Sequence, residues 1–533
     1  MRSINKKIKF LGIIFLVSIV FISWRGIGAP SRTETRIHAN FQGKADVLQV
    51  SSGSGSYDSA VLTYNLNAYS GQRITVEVSM DVWLENPGNI LWQVNNIGFP
   101  TIVSAGGLSA KTWHTVQGSS ALQIESNRVL YLSSSNFDNN TAYFANLTVK
   151  INGDIVNKPV VIDTTLTAVH TKWPFPVGTV FGDTSVSMLC PERQLYRHFN
   201  VLVAGNLMKP DNVMSRPWRQ NGAYRWTNSD IILNFAQANG QKVRGHVLFW
   251  HSQTPEAYFK GSGKGEWATI DELYTRMERH TRIMFEKFQG KVEWWDVVNE
   301  VVGEDGKIRA ANSSGYTRIM EAGGKKGIER YEWVLKAFQW ARQYADANGG
   351  QNVKLFLTEY NAEVPGAKHT EFLKLLDYLI ANKAPIDGVG IQGHYAHDWP
   401  SVRDVSKGID LFTAKKNPRT GANLIVHVCE LDISIFKNSE TKWGSGGASG
   451  SKTVADRELN TRLTQQGKRY REFFDMFEQK YKEGKLEMVL IWGASDTNSW
   501  LNFFPIPGRT EHPLLFDRDY QPKPAYYELI EGR

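Results

Sequence analysis

KVEWWDVVNE, residues 291–300, and NLIVHVCELD, residues 423–432, are the two stretches on which the reading of the fold turns. Each is a short apolar run rich in β-branched or aromatic residues, the composition of a buried strand, and each turns polar at its end, at Glu300 and Glu430. Packing alone gives no reason to close a buried strand on a carboxylate. The C-terminal mouth of a parallel barrel does, because the loops there carry the chemistry of α/β folds. Two carboxylates from different strands are the minimal equipment for cleaving a glycosidic bond by acid/base and nucleophilic catalysis.

Working outward, six further runs have the same texture: FPVGTVF (175–181), FNVLVAGN (199–206), KVRGHVLFW (242–250), KLFLTEY (354–360), GVGIQGHY (388–395) and EMVLIWGAS (487–495). Amphipathic stretches such as DELYTRMERHTRIMFEKF (271–288), YEWVLKAFQWARQYADA (331–347) and TRLTQQGKRYREFFDMFEQKY (461–481) lie between them. Strand then helix, repeated about eight times, predicts a (β/α)8 barrel over residues 163–533. Within it the Gly- and Ser-rich WGSGGASGSK (443–452) reads as an exposed loop insertion beside the cleft.

Residues 37–153 have a different character. Alternating runs such as RITVEVSMDVWL (73–84) and AYFANLTVKI (142–151), separated by turn residues, predict an antiparallel β-sandwich. Before it, Arg2, Lys6, Lys7 and Lys9 precede an apolar run from Phe10 to Trp24, followed by Gly26, Gly28 and Ala29. That is the layout of an export signal over residues 1–29, with an uncleaved membrane anchor as its alternative. A secreted or cell-surface protein is expected.

The chain has 533 residues, two or more domains' worth, a formal net charge of +8 and a mean hydropathy of −0.35. Its basic residues are dispersed among acids, so the charge reads as solvation and not as a nucleic-acid footprint. Only Cys190 and Cys429 are present, which excludes a disulfide framework, although one bridge between them stays open. The fold must rest on its core. His246 with His251, and His394 with His397, have no recognised zinc spacing, so neither a metal nor another cofactor is expected. A monomer is expected.

From residue 163 onward the chain resembles glycoside hydrolase family 10, the endo-1,4-β-xylanases. The motifs that carry the resemblance are RGHVLFWHSQTP (244–255), WWDVVNE (294–300), GVGIQGHY (388–395), VCELDIS (428–434), IWGASDTNSW (491–500) and LLFDRDYQPKPAYY (514–527), in the family's order. The resemblance implies Glu300 as acid/base, Glu430 as nucleophile and xylan or a related β-1,4-linked polysaccharide as substrate. In retaining enzymes the two groups stand about 5 to 5.5 Å apart, and the acid needs a raised pKa until the nucleophile is consumed. By the same resemblance Asn299 contacts the sugar 2-hydroxyl, and Gln392 and His394 fall near the nucleophile. His394 would be oriented by Asp432. Asn206, Lys209, His246 and Trp250 would grip the sugar on the non-reducing side, with Trp492 and Trp500 as walls and floor. The family's second-strand motif, Glu-Asn-x-Met-Lys-Trp, is here Gly205 to Pro210, and the usual Thr before the nucleophile is Cys429. A supporting carboxylate and an indole are missing, which points to weaker non-reducing-side binding.

Other readings stand beside this one. Glu359 in LFLTEYNAE is a third strand-end carboxylate, read as cleft-lining or structural. A retaining β-1,4-glucanase and a non-catalytic polysaccharide-binding protein are the alternative functions. The sandwich resembles carbohydrate-binding modules, with Trp83, Trp92, Trp113, Tyr131 and Phe137 as the aromatics available for stacking on sugar, core packing or a spacer role being the alternatives.

Overall fold

A computed structural model of the chain describes residues 33–531 apart from 38–40, 45–46, 52–62, 67–68, 70, 95–99, 126–127, 133–139, 157–161, 187–189, 215–222, 262, 264 and 445–446. The segment read as an export signal and Phe137 lie outside the described residues. The chain divides into two compact units with a boundary near residue 160. Among the described residues no helix is long and apolar enough to cross a membrane.

The second unit is a closed parallel barrel of eight strands: β1 (Val177–Phe181), β2 (Val201–Ala204), β3 (Lys242–Gly245), β4 (Trp294–Asn299), β5 (Lys354–Glu359), β6 (Gly388–Ile391), β7 (Ile425–Ser434) and β8 (Leu486–Ile491). Each falls within one of the eight runs read from the sequence or overlaps it closely. Parallel strands covered on both sides read as continuous apolar runs, and β2, β4 and β6 are buried at every position. Closure is through Val177 opposite Val489, which joins β1 to β8, while Arg244 opposite Trp294 joins β3 to β4. Gly245 makes that second junction possible: a Cβ there would sit 2.3 Å from the ring of Trp295.

Helices α1 (Thr227–Ala238), α2 (Ile270–Phe288), α3 (Glu332–Ala347), α4 (Ala367–Ala381), α5 (Val402–Thr413), α6 (Asp456–Lys482) and α7 (Pro524–Ile530) follow β2 to β8, and a 3-10 stretch, Pro191–His198, follows β1. The start of α2 shows why helices begin where they do. Thr269 accepts a hydrogen bond from the Glu272 amide at 3.2 Å, and the Glu272 carboxylate accepts one from the Thr269 amide at 2.8 Å, so two otherwise unpaired donors are satisfied. The stretch expected as a loop insertion is instead a hairpin, Thr441–Gly444 paired with Gly447–Gly450. Cys190 and Cys429 are both thiols and not a disulfide; Cys429 is buried in the barrel interior, its sulfur 3.3 Å from the Ile391 carbonyl.

The first unit has two antiparallel sheets. One runs Thr33–Ile37, Val47–Ser51, Thr141–Ile151, Arg73–Leu84, Trp113–Gln123, with Asp154–Ile155 beside the third; the other runs Thr63–Asn65, Val129–Leu132, Gly88–Val94, Thr101–Leu108. Alternate residues of both sheets, Val76, Val78, Met80 and Val82 on one and Ile90, Trp92, Val94 and Leu130 on the other, share one core. Of the roles left open for its aromatics, core packing is the one Trp92 takes, and Trp92 is therefore not an exposed aromatic. Trp92 is 1% exposed and belongs to that core, whereas Tyr131, 8% exposed between the core residues Leu130 and Leu132, lies on the other face of its sheet with its hydroxyl donating to Gln93 at 3.3 Å. Trp83 is also buried, on the opposite face, where it meets Tyr143 and Phe41, and Phe41 stacks on Tyr143 with ring centroids 4.0 Å apart. Trp113 is half-buried, its indole N–H donating to the Gln42 carbonyl at 3.0 Å.

Candidate active site

The C-terminal ends of the strands bring the two carboxylates into one mouth. Glu300 follows β4 directly with φ of 56°, a left-handed conformation unusual outside glycine, and is held there by its amide donating to Thr358 of β5 at 3.0 Å and by Arg309 donating to its carbonyl at 2.9 Å. The strained turn aims the side chain across the mouth. One carboxylate oxygen accepts from the Trp250 indole at 2.9 Å, the other from the Gln392 amide at 2.9 Å. Gln392 also donates to Asn299 at 3.2 Å, and its main-chain carbonyl accepts from the Glu430 amide at 2.9 Å. One residue at the end of β6 therefore links the β4 and β7 carboxylates.

Glu430 has a different setting. Its Oε2 lies 3.3 Å from His394 Nε2, whose Nδ1 lies 3.0 Å from Asp432 Oδ2. The short strand His394–Ala396 pairs with β7 in a register that puts His394 beside Asp432, so this alignment is a property of the backbone. Asp432 accepts the Trp500 indole N–H at 2.7 Å. Burial alone would keep the His394 imidazole neutral, but the Asp432 and Glu430 carboxylates push it up to about 10. Glu430 thus faces a cation through Oε2, and its Oε1 is buried without a hydrogen-bond partner among the described residues.

Glu300 departs from expectation. Burial pushes its carboxyl up, yet the charge of His251 and the hydrogen bonds from Gln392 and Trp250 bring it below the usual value, not above it. Burial holds His251 itself down to about 4, so at neutral pH that imidazole is uncharged and its pull on Glu300 is absent. With that imidazole uncharged, the hydrogen bonds from Gln392 and Trp250 and the charge of Arg309 are what oppose burial at Glu300.

Beside Trp250 is a second constellation. Lys209 Nζ donates to Asn206 at 2.9 Å and to Gln253 at 2.8 Å, and stands 4.7 Å from the Trp250 ring centroid. Gln253 donates to the same Asn206 oxygen at 3.0 Å. Asn206 in turn donates to Asp183 Oδ2 at 2.8 Å. Asp183, from the turn after β1, occupies the role that Gly205 cannot: a carboxylate reaches this cluster from the neighbouring strand. Burial raises its pKa, and its Oδ1 is buried with no hydrogen-bond partner among the described residues. Sequence reasoning missed Asp183 and Gln253, although Gln253 lies in a quoted motif and Asp183 is a strand-end acid of the kind used to find Glu300.

The remaining residues have definite places. His246 Nδ1 lies 3.0 Å from Asp296, and its ring meets Trp492 edge-on at 5.6 Å. Burial pushes Asp296 up, but Arg244 and His246 hold it well below the carboxylate range. Glu359 is fully buried and occupied: it accepts from the Val302 and Tyr360 amides at 3.0 and 3.1 Å and pairs with Lys368 at 3.0 Å. It holds the turn after β4 and offers no oxygen to a substrate.

Residues 168–532, about two thirds of the chain, match glycosyl hydrolase family 10. The chain belongs to this family. Among curated relatives, the family 10 chain is 32% identical over 359 residues to endo-1,4-beta-xylanase C of Paenibacillus barcinonensis, covering 67% of this chain but 30% of that longer protein. It is 33% identical over 342 residues to a beta-1,4-xylanase of Dictyoglomus thermophilum, covering 64% and 84%. It is 33% identical over 373 residues to a thermostable celloxylanase of Thermoclostridium stercorarium, covering 67% and 84%. A solved family 10 structure from P. barcinonensis superposes with a TM-score of 0.57 at 31% identity, covering 67% of this chain and 94% of that one. An intracellular xylanase of Thermoanaerobacterium saccharolyticum, solved with xylotetraose, gives 0.56 at 27% identity, covering 69% and all of that chain.

Proposed function

We propose that the protein is an endo-1,4-β-xylanase working by retaining double displacement, with Glu430 as nucleophile and Glu300 as acid/base. The observation that carries the assignment is the unlike setting of the two carboxylates: Glu430 sits against a charged imidazole with its buried Oε1 unpartnered among the described residues, whereas the Glu300 carboxylate oxygens accept from the neutral Trp250 and Gln392 donors. A cation aligns the first through one oxygen and leaves the other for attack. Neutral donors leave the second free to change protonation as the charge across from it changes.

In the first step Glu430 Oε1 attacks the anomeric carbon while the bond from that carbon to the glycosidic oxygen breaks. The departing oxygen takes its proton from Glu300. The ester formed at Glu430 removes the negative charge opposite Glu300, which then accepts a proton from water as the water attacks the same carbon and releases Glu430. Asn299, held by Gln392, is placed to meet the sugar 2-hydroxyl, and Lys209, Asn206 and Asp183 to meet hydroxyls on the non-reducing side. Xylan is the substrate named by the relatives. The celloxylanase among them makes β-1,4-glucan the second substrate to compare.

The test is product analysis on xylan, carboxymethyl cellulose and mixed-linkage glucan side by side, with two variants. Glu430→Ala should abolish hydrolysis of xylan and of activated aryl xylosides. Glu300→Ala should lose xylan hydrolysis by a factor of about 100 or more, yet still form the glycosyl-enzyme from aryl xylosides whose leaving group needs no proton, with azide restoring turnover. Equal loss on both substrates in Glu300→Ala would count against the assignment. For the first unit we propose carbohydrate binding in support of the barrel, the half-buried Trp113 replacing Trp92 as the aromatic to examine.

A further inference from the structure

Phe503 and Phe504 are 60% and 52% exposed, the two most exposed large hydrophobic side chains among the described residues, and they are neighbours in sequence. They lie in the turn after β8 that also carries Trp500. The Phe504 ring stacks on the Trp500 indole with centroids 5.5 Å apart and planes within 21°. Trp500 in turn donates to Asp432 and lies 4.7 Å from the His394 ring, so the aromatic surface runs from the partners of Glu430 outward to Phe504, with Phe503 beside it in the chain.

The turn is fixed, not loose. The amides of Phe503 and Phe504 donate to the Trp500 carbonyl at 2.9 and 3.0 Å, Asn502 donates to the Asp496 carbonyl at 2.9 Å, and Arg518 donates to Asn502 at 2.8 Å. The neighbouring Ile506 is buried at 3% exposure. At Phe503 and Phe504 the fold instead leaves more than half of each ring's residue exposed to water, an arrangement that marks a contact site.

We propose that Phe503 and Phe504 form a further subsite of the cleft, which takes a pyranose ring of the bound polymer beyond the sugar at Trp500. The proposal rests on the polysaccharide hydrolase reading. A β-1,4-linked pyranose presents a face of C–H groups that matches an aromatic ring, and phenyl rings carry no hydrogen-bonding handle. The subsite therefore recognises the presence of another ring and not its hydroxyl pattern. Its effect is confined to substrates long enough to reach it.

The experiment compares the full chain with Phe503→Ala and Phe503→Trp on xylohexaose and on an activated aryl xylobioside. Loss of one stacking contact should lower kcat/KM on xylohexaose about 3- to 10-fold, through KM, while the aryl xylobioside changes by less than about twofold. Phe503→Trp should restore the hexaose value. Equal loss on both substrates, or no loss on either, overturns the subsite. Failure of the unaltered protein to cleave the aryl xylobioside would overturn the functional reading, and the subsite with it.

Discussion

At the level of single residues, the charge on His394 is the feature with the clearest consequences. Its value of about 10 lies above the ordinary 6.5, so its pairing with Glu430 and Asp432 contributes stability that is complete below about pH 6.5 and is lost as pH rises through about 10. Thermal midpoints of the unaltered protein and of His394→Gln should therefore differ most at the acidic end of that window and converge above it. Nitrogen NMR of labelled histidine should show this imidazole still doubly protonated at about pH 8. A neutral ring there would count against the charged pairing of His394 with Glu430 and Asp432. Asp183 gives a second test. Asp183→Ala should lower kcat/KM on xylotriose about tenfold with a smaller loss on polymer, because it strips Asn206 of its acceptor and leaves a buried amide unpaired. Equal losses on both would show that Asp183 acts on the fold and not on sugar. The two catalytic candidates were legible because a carboxylate at the end of an apolar run is chemically conspicuous. Asp183 was not, because its relation to Asn206 joins two strands whose register no single run of sequence reveals.

Among the elements, the strands were the most readable and the glycine-rich segments the least. Runs such as GVGI and VVN carry their own signal, since a strand covered on both faces must be apolar throughout. The hairpin at 441–450 carries no such signal: Gly and Ser give no alternation, and its place is set by Arg509, which donates to the Ser451 carbonyl at 2.8 Å and the Thr441 hydroxyl at 2.9 Å from another part of the chain. The roles of the aromatic residues in the sandwich stayed open for a related reason. Alternation separates Trp92 from its neighbours Leu91 and Gln93, and Trp83 from Val82 and Leu84, but does not say which face of either sheet meets the other. Since Trp92 fills the space between them, Trp92→Ala should destabilise the first unit by about 3 to 5 kcal/mol and lower its unfolding midpoint, with no change in xylo-oligosaccharide turnover. Trp113→Ala should be nearly neutral in the same melt. A small effect of Trp92→Ala would mean that the two sheets do not share a core.

For the whole molecule, two displacements at one carbon fix an outcome that no single residue controls. The first product released should have the β configuration, and proton NMR of fresh digests would read it directly; an α product would end the double-displacement account. Removing the first unit should leave turnover of soluble xylo-oligosaccharides within about twofold and reduce hydrolysis of insoluble xylan, as loss of a tethered second site lowers the effective concentration at a surface. A collapse on soluble substrate would make that unit part of the barrel's support. The two thiols bear on how such a molecule can be made and handled. Because Cys190 and Cys429 are not joined, neither folding nor persistence of the native state calls for an oxidant, a disulfide isomerase or a particular redox potential. Reductant strong enough to dismantle a disulfide-built enzyme should leave the melting curve and the activity of this one where they were.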